Sequence, residues 1–94
     1  MIFNTRDTIK IRHEGGSIRT ANLIDVSWSP RGKPLKAIIE MPMSGFYTMS
    51  LKEGRFLRKD MSLWSIDRRT LDELRQLAKR RFEETLQIRK TRSL

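Results

Sequence analysis

A chain of 94 residues with 20 lysines and arginines against 11 aspartates and glutamates carries a formal charge of +9 at pH 7, and so dense an excess of one sign predicts an anionic partner. The length allows one domain with a modest core, and the absence of cysteine excludes disulfides, zinc–thiolate sites and cysteine nucleophiles. No stretch approaches the roughly 20 apolar residues that a membrane span needs, and no apolar run of signal-peptide length begins the chain, so the expected location is the cytoplasm.

Two strands are predicted at the start of the chain, on either side of a glycine turn. Residues 7–12 alternate polar and apolar side chains, which is typical of a half-buried strand. Residues 18–28 predict a longer second strand, and Leu23 next to Ile24 breaks its alternation, which indicates a β-bulge. The apolar residues expected to share one face of this strand are Ile24, Val26 and Trp28.

Three further strands follow, separated by turns that contain glycine or proline, over residues 35–41, 47–51 and 56–59. The last of these is expected to continue through Leu63 and Trp64. Five short strands in about 60 residues predict a small five-stranded antiparallel barrel or strongly bent sheet over residues 7–66.

A C-terminal amphipathic helix is predicted over residues 67–90, with Asp67 as its N-cap and residues 91–94 as a frayed tail. Its apolar stripe consists of Leu71, Leu74, Ala78, Phe82 and Leu86, with Leu77 and Ile88 at the margin. The fold class is therefore α+β, mainly β, in a single domain over residues 1–94.

The positive charge is unevenly distributed along the chain. Residues 67–87 carry a net charge of only +1, whereas residues 1–66 carry +5 and residues 88–94 carry +3. The helix is therefore expected to be a packing element, and the basic binding elements are expected in the strand-rich part.

The first basic element is the loop that follows Trp28, in which Arg31, Lys33 and Lys36 stand without a carboxylate. Residues 30–34 (Pro-Arg-Gly-Lys-Pro) resemble the core of an AT-hook, with Lys33 in place of the second arginine. That resemblance implies an extended segment in the minor groove of A·T-rich DNA. The alternatives are a solvated hairpin loop and generic phosphate contacts, with Trp28 available to stack on a base.

The second basic element contains Lys52, Arg55, Arg58 and Lys59, and it follows the strand that begins with Phe46 and Tyr47. Aromatic side chains interleaved with cations on a sheet suit single-stranded nucleic acid, whose bases stack and whose phosphates pair. The alternative is that the aromatics pack in the core and the cations solvate an edge strand.

In residues 16–20, 45–47 and 54–56, the strand-rich part resembles SH3-like and Sm-like barrels and, faintly, the WYL-type domain of bacterial regulators. Phe46 stands where the WYL-type domain has tryptophan. The resemblance implies contacts to nucleic acid or a nucleotide ligand through Arg19, Tyr47 and Arg55.

Catalysis is not expected. His13, the one histidine, sits in a glycine turn beside Glu14, and no metal-ligand spacing, phosphate loop or nucleophile motif occurs. The sequence therefore predicts neither an enzyme nor a bound metal or cofactor.

Together these features favour a small basic nucleic-acid-binding accessory or regulatory protein, of a kind common in bacteria, phages and plasmids. It would dock on phosphates through the two basic elements, and DNA is favoured over RNA. The alternative is an interaction module or inhibitor that binds an acidic protein, with the helix available for homodimer formation. Membrane binding is not expected, because the polar face of the helix carries too many carboxylates.

Overall fold

The computed structural model describes residues 6–92, with side chains to residue 89. Over this range six antiparallel strands form one sheet in the order β4-β3-β2-β1-β6-β5, which curls into a nearly closed barrel followed by one helix. The elements are β1 (Thr8–His13), β2 (Ile18–Trp28), β3 (Pro34–Met41), β4 (Gly45–Ser50), β5 (Arg55–Leu57), β6 (Leu63–Ser65) and α1 (Arg68–Arg92). The predicted class, a mainly β small barrel with a C-terminal helix, is confirmed.

The described barrel has six strands instead of the predicted five, because the chain reverses after β5. The Arg58 N–H donates to the Ser62 carbonyl at 2.9 Å, and the Met61 N–H donates to the Arg58 carbonyl at 2.8 Å. These bonds close a turn that brings Trp64 opposite Phe56 in the ladder. The expected continuation through Leu63 and Trp64 is therefore a separate strand.

The predicted β-bulge lies in β2, where the pairing with β3 shifts between Leu23 and Asp25. Ile24 is the extra residue, and the bulge changes which positions face the core. Leu23 and Val26 are buried, whereas Ile24 is 40% exposed. The prediction that Ile24 shares a face with Val26 and Trp28 is therefore wrong.

The helix begins after its predicted cap, because the Asp67 carboxylate accepts a hydrogen bond from the Thr70 N–H at 2.7 Å. Hydrogen bonds from Thr70 hold the pKa of the Asp67 carboxyl below its ordinary value. Leu74, Leu77 and Ala78 are fully buried, so Leu77 belongs to the centre of the apolar stripe.

The helix is longer than the barrel surface on which it packs. Its 25 residues span about 37 Å at about 1.5 Å per residue, and Leu86 and Ile88 are exposed near its end. Helix geometry reaches Arg92, so the first two residues of the predicted frayed tail are helical; residues 93 and 94, and the side chains of residues 90–92, lie outside the description.

Hairpin connections place the turns of the barrel alternately at its two ends. We call one of these the helix end, because residues 29–33 and 51–54 turn there beside α1. The other is the open end, where residues 14–17, 42–44 and 58–62 turn.

Candidate nucleic-acid interface

The turn at residues 29–33 is internally hydrogen-bonded and rests directly on α1. Ser29 accepts from the Gly32 N–H at its carbonyl (2.8 Å) and from the Lys33 N–H at its hydroxyl (3.0 Å), and its own N–H donates to the Lys33 carbonyl at 2.8 Å. Gly32 has φ +86°, and a Cβ there would stand 2.5 Å from the ring of Phe82. The absence of a side chain at Gly32 therefore lets the turn approach the helix closely.

A cavity of about 560 Å³ lies between this turn and α1, and we call it the loop–helix cleft. The described residues that line it are Arg31, Gly32, Lys33, Pro34, Asp72, Arg75, Gln76 and Lys79. Among them are four cations and one carboxylate, and that carboxylate, Asp72, lies 3.6 Å from the Arg75 guanidinium. The cleft is therefore an electropositive concavity built from both the loop and the helix.

Arg75 is fixed in place by main-chain carbonyls. Its Nε donates to the Leu51 carbonyl at 2.6 Å and one Nη donates to the Lys52 carbonyl at 2.8 Å. Carbonyl oxygens do not neutralise the guanidinium charge, so these bonds restrict the position of the group without removing its charge. They also bring Lys52, one of the predicted contacts, next to the cleft.

Arg75, Gln76 and Lys79 were not predicted as site residues. Their signal was the spacing of Arg75 and Lys79, which places both cations on one helical face. The net charge of the whole helix does not reveal this basic face, because carboxylates elsewhere on α1 offset its positive charge in the sum. The helix is a packing element, as expected, but it also contributes half of the cations of the cleft.

Two other residues of the predicted loop lie apart from the cleft lining. Trp28 is half-buried, with its ring edge-on to Phe82 at 6.5 Å between centroids. Lys36 is exposed on the outer wall of the barrel, opposite Ser50 of β4. Trp28 thus packs against the helix through Phe82, and Lys36 adds positive charge to the outer surface of β3.

A second group of predicted residues meets at the open end. The Arg19 guanidinium lies 5.9 Å from the centre of the Trp64 ring, which His13 contacts edge-on at 5.0 Å. Arg19 and Arg58 line a cavity of about 190 Å³ with Asp60. Trp64 is 3% exposed, so its ring belongs to the core and is covered by Arg19.

Tyr47 is held by a hydrogen-bond chain at this end. Its hydroxyl lies 2.6 Å from Ser44 Oγ, which accepts from Arg58 Nε at 3.1 Å. The Ser44 hydrogen bond lowers the pKa of Tyr47, assisted by hydrogen bonds from the Lys59 main chain and the Arg58 side chain and by the charge of Lys59. The Tyr47 ring packs on Phe56 at 5.4 Å.

The predicted contacts therefore fall into two separate groups. Arg31, Lys33 and Lys52 lie at the helix end, whereas Arg19, Tyr47, Arg58 and Lys59 lie at the open end. The ends are joined by β2, whose nine steps from Arg19 to Trp28 span about 30 Å at about 3.3 Å per residue. Arg55 pairs with Glu53 of the 51–54 turn at 3.3 Å, at the start of β5, and does not line the loop–helix cleft.

Comparison with protein-family models, curated proteins and solved structures found no match for this chain. The described part of α1 lacks an apolar stretch long enough to cross a membrane. Within residues 6–92, no three or more His, Asp and Glu side chains cluster in a way that could hold a metal ion.

Proposed function

We propose that this protein binds nucleic acid by placing the loop–helix cleft on the phosphate backbone. The observation that carries the proposal is the convergence of Arg31 and Lys33 from the loop with Arg75 and Lys79 from the helix around one cavity. Fixed cations around a concavity raise the local concentration of a polyanion and release its counterions on binding. This charge-driven docking supplies affinity without sequence readout.

The hydrogen bonds of the loop favour phosphate contact over insertion into a groove. An extended course of residues 30–34 in a minor groove would break the three bonds that close the turn on Ser29 and lift Gly32 from Phe82. Phosphate contact leaves this turn intact, because the exposed side chains of Arg31 and Lys33 extend from it.

The environment of the aromatic residues favours duplex DNA over a single strand as the ligand. Base stacking on a protein needs an aromatic face open to solvent. Trp64 is buried, Trp28 packs on Phe82 and the Tyr47 ring packs on Phe56, while the exposed Phe46 lies at the open end, away from the loop–helix cleft. A duplex presents its phosphates without requiring such a face.

The test is an equilibrium binding titration at fixed low salt against duplex DNA, single-stranded DNA and RNA of matched length. The triple variant R31Q/K33Q/K79Q removes three cations from the cleft and leaves the anchored Arg75 in place. It is expected to bind duplex DNA at least tenfold more weakly than the wild-type chain, because each phosphate contact contributes to affinity.

The matched control is K10Q/R12Q/R55Q, which removes the same net charge from the wall formed by β1, β6 and β5. Arg12 and Arg55 both lie opposite Ser65 on that wall. This variant should retain most of the affinity. Equal losses in both triple variants would show that only net charge matters, and no binding of any nucleic acid at low salt would refute the proposal.

A further inference from the structure

Two turns at the open end each expose a methionine in a left-handed backbone conformation. Met43 has φ 65° and is fully exposed, and Met61 has φ 66° and is 72% exposed. Glycine or asparagine is the usual residue at such a position, because a larger side chain is strained there. Both methionines have an unfavourable backbone conformation and expose an apolar side chain. Neither property helps the fold, which points to a role in binding.

The two turns are tied into one unit. Arg58, which begins the second turn, donates from Nε to Ser44 of the first at 3.1 Å. Lys59 Nζ lies 3.7 Å from the position that a Cβ of Gly45 would take. Exposed Phe46 and Leu57 lie on the strands next to the turns. We call Met43, Phe46, Leu57 and Met61 the methionine tip.

We propose that the methionine tip is a docking surface for an acidic segment of another protein, one in which apolar side chains alternate with carboxylates. Methionine adapts its shape to varied apolar partners. Arg58 and Lys59 stand between Leu57 and Met61 in the chain and reach Ser44 and Gly45 of the other turn. The carboxylate in their own turn, Asp60, is engaged by the N–H and hydroxyl of Ser62. The tip therefore offers apolar contacts next to positive charge.

The net charge and the position of the tip favour this occupant over two others. A second copy of the chain would bring another charge of +9 to the interface, which opposes self-association. A phosphate backbone would pair with the cations but would leave the methionine side chains without apolar partners. The tip also lies at the opposite end of β2 from the loop–helix cleft, so the inference extends beyond the proposed function and does not depend on it.

The experiment follows methyl-labelled methionines by NMR during titration with a short synthetic peptide that alternates Asp and Glu with Leu and Phe. Two control peptides replace every acid by Lys, or every apolar residue by Ser. The first peptide is expected to shift the methyl signals of Met43 and Met61. The signals of buried Met41 and Met49, which are 1% and 0% exposed, serve as internal references and should move little.

The variant M43N/M61N removes both apolar side chains at positions whose backbone asparagine tolerates, so the fold is kept. It should weaken peptide binding by about tenfold, whereas I38T, which changes an exposed apolar residue of the outer wall, should not. Undiminished peptide binding by M43N/M61N, or equal binding of the Lys-substituted peptide, would overturn the proposal. So would duplex DNA that shifts Met43 and Met61 and loses affinity in M43N/M61N.

Discussion

Replacement of Gly32 by alanine tests how the loop–helix cleft is built. At φ +86° a non-glycine residue is strained by about 1–2 kcal/mol. The new methyl group would also stand 2.5 Å from the Phe82 ring, so the ring or the turn must shift. Overpacking of this kind costs about 1–3 kcal/mol. We therefore expect G32A to lower the free energy of unfolding by about 2–5 kcal/mol.

The two contributions can be separated in a double-mutant cycle with F82A. In the F82A background the methyl group meets no ring, so G32A should cost only the conformational term of about 1–2 kcal/mol. Urea denaturation monitored by tryptophan fluorescence measures all four proteins. A cost of G32A that is the same with and without Phe82, or below about 0.5 kcal/mol in the wild-type background, would refute the close approach of loop and helix.

Three further predictions concern stability. M43N and M61N should each leave the midpoint of thermal unfolding unchanged or raise it, because asparagine relieves the left-handed strain; a clear drop in either would contradict this. D67A should cost about 1 kcal/mol at pH 7 by loss of the helix cap. Because the folded pKa of Asp67 is lowered, that difference is present above the unfolded pKa of about 3.9 and should shrink as the pH falls below it, as denaturation at several pH values would show. L77A should cost about 2–5 kcal/mol and L86A under about 1 kcal/mol, since Leu77 is fully buried and Leu86 is 38% exposed; equal costs would contradict the position of the stripe.

The parts of the fold that follow from local chemistry could be predicted from the sequence. Asp67 was identified as a cap because a carboxylate before an apolar-periodic run satisfies the first N–H groups of a helix. The bulge was visible because Leu23 and Ile24 interrupt a strict alternation. β6 was missed as a separate strand because it has only three residues, and the turn before it places Met61 at a positive φ that sequence patterns do not favour.

The candidate site depended on long-range geometry that the sequence does not display. Arg31 and Arg75 are far apart in the chain and line one cleft because the turn around Gly32 packs closely on α1 at Phe82. In contrast, Lys33 and Lys59 were assigned to one binding function, but the hairpin topology places them at opposite ends of the barrel. The sequence shows which residues are basic, whereas the path of the strands determines which of them lie close together.

The dependence of duplex DNA affinity on salt tests the central claim most directly. For the wild-type chain the logarithm of affinity should fall steeply and linearly with the logarithm of salt concentration, with a slope of about 0.9 per phosphate contact. The triple variant R31Q/K33Q/K79Q should make that slope shallower by about 2.7. The control variant K10Q/R12Q/R55Q should keep a slope close to that of the wild-type chain. Parallel lines for wild type and the cleft variant would contradict the account.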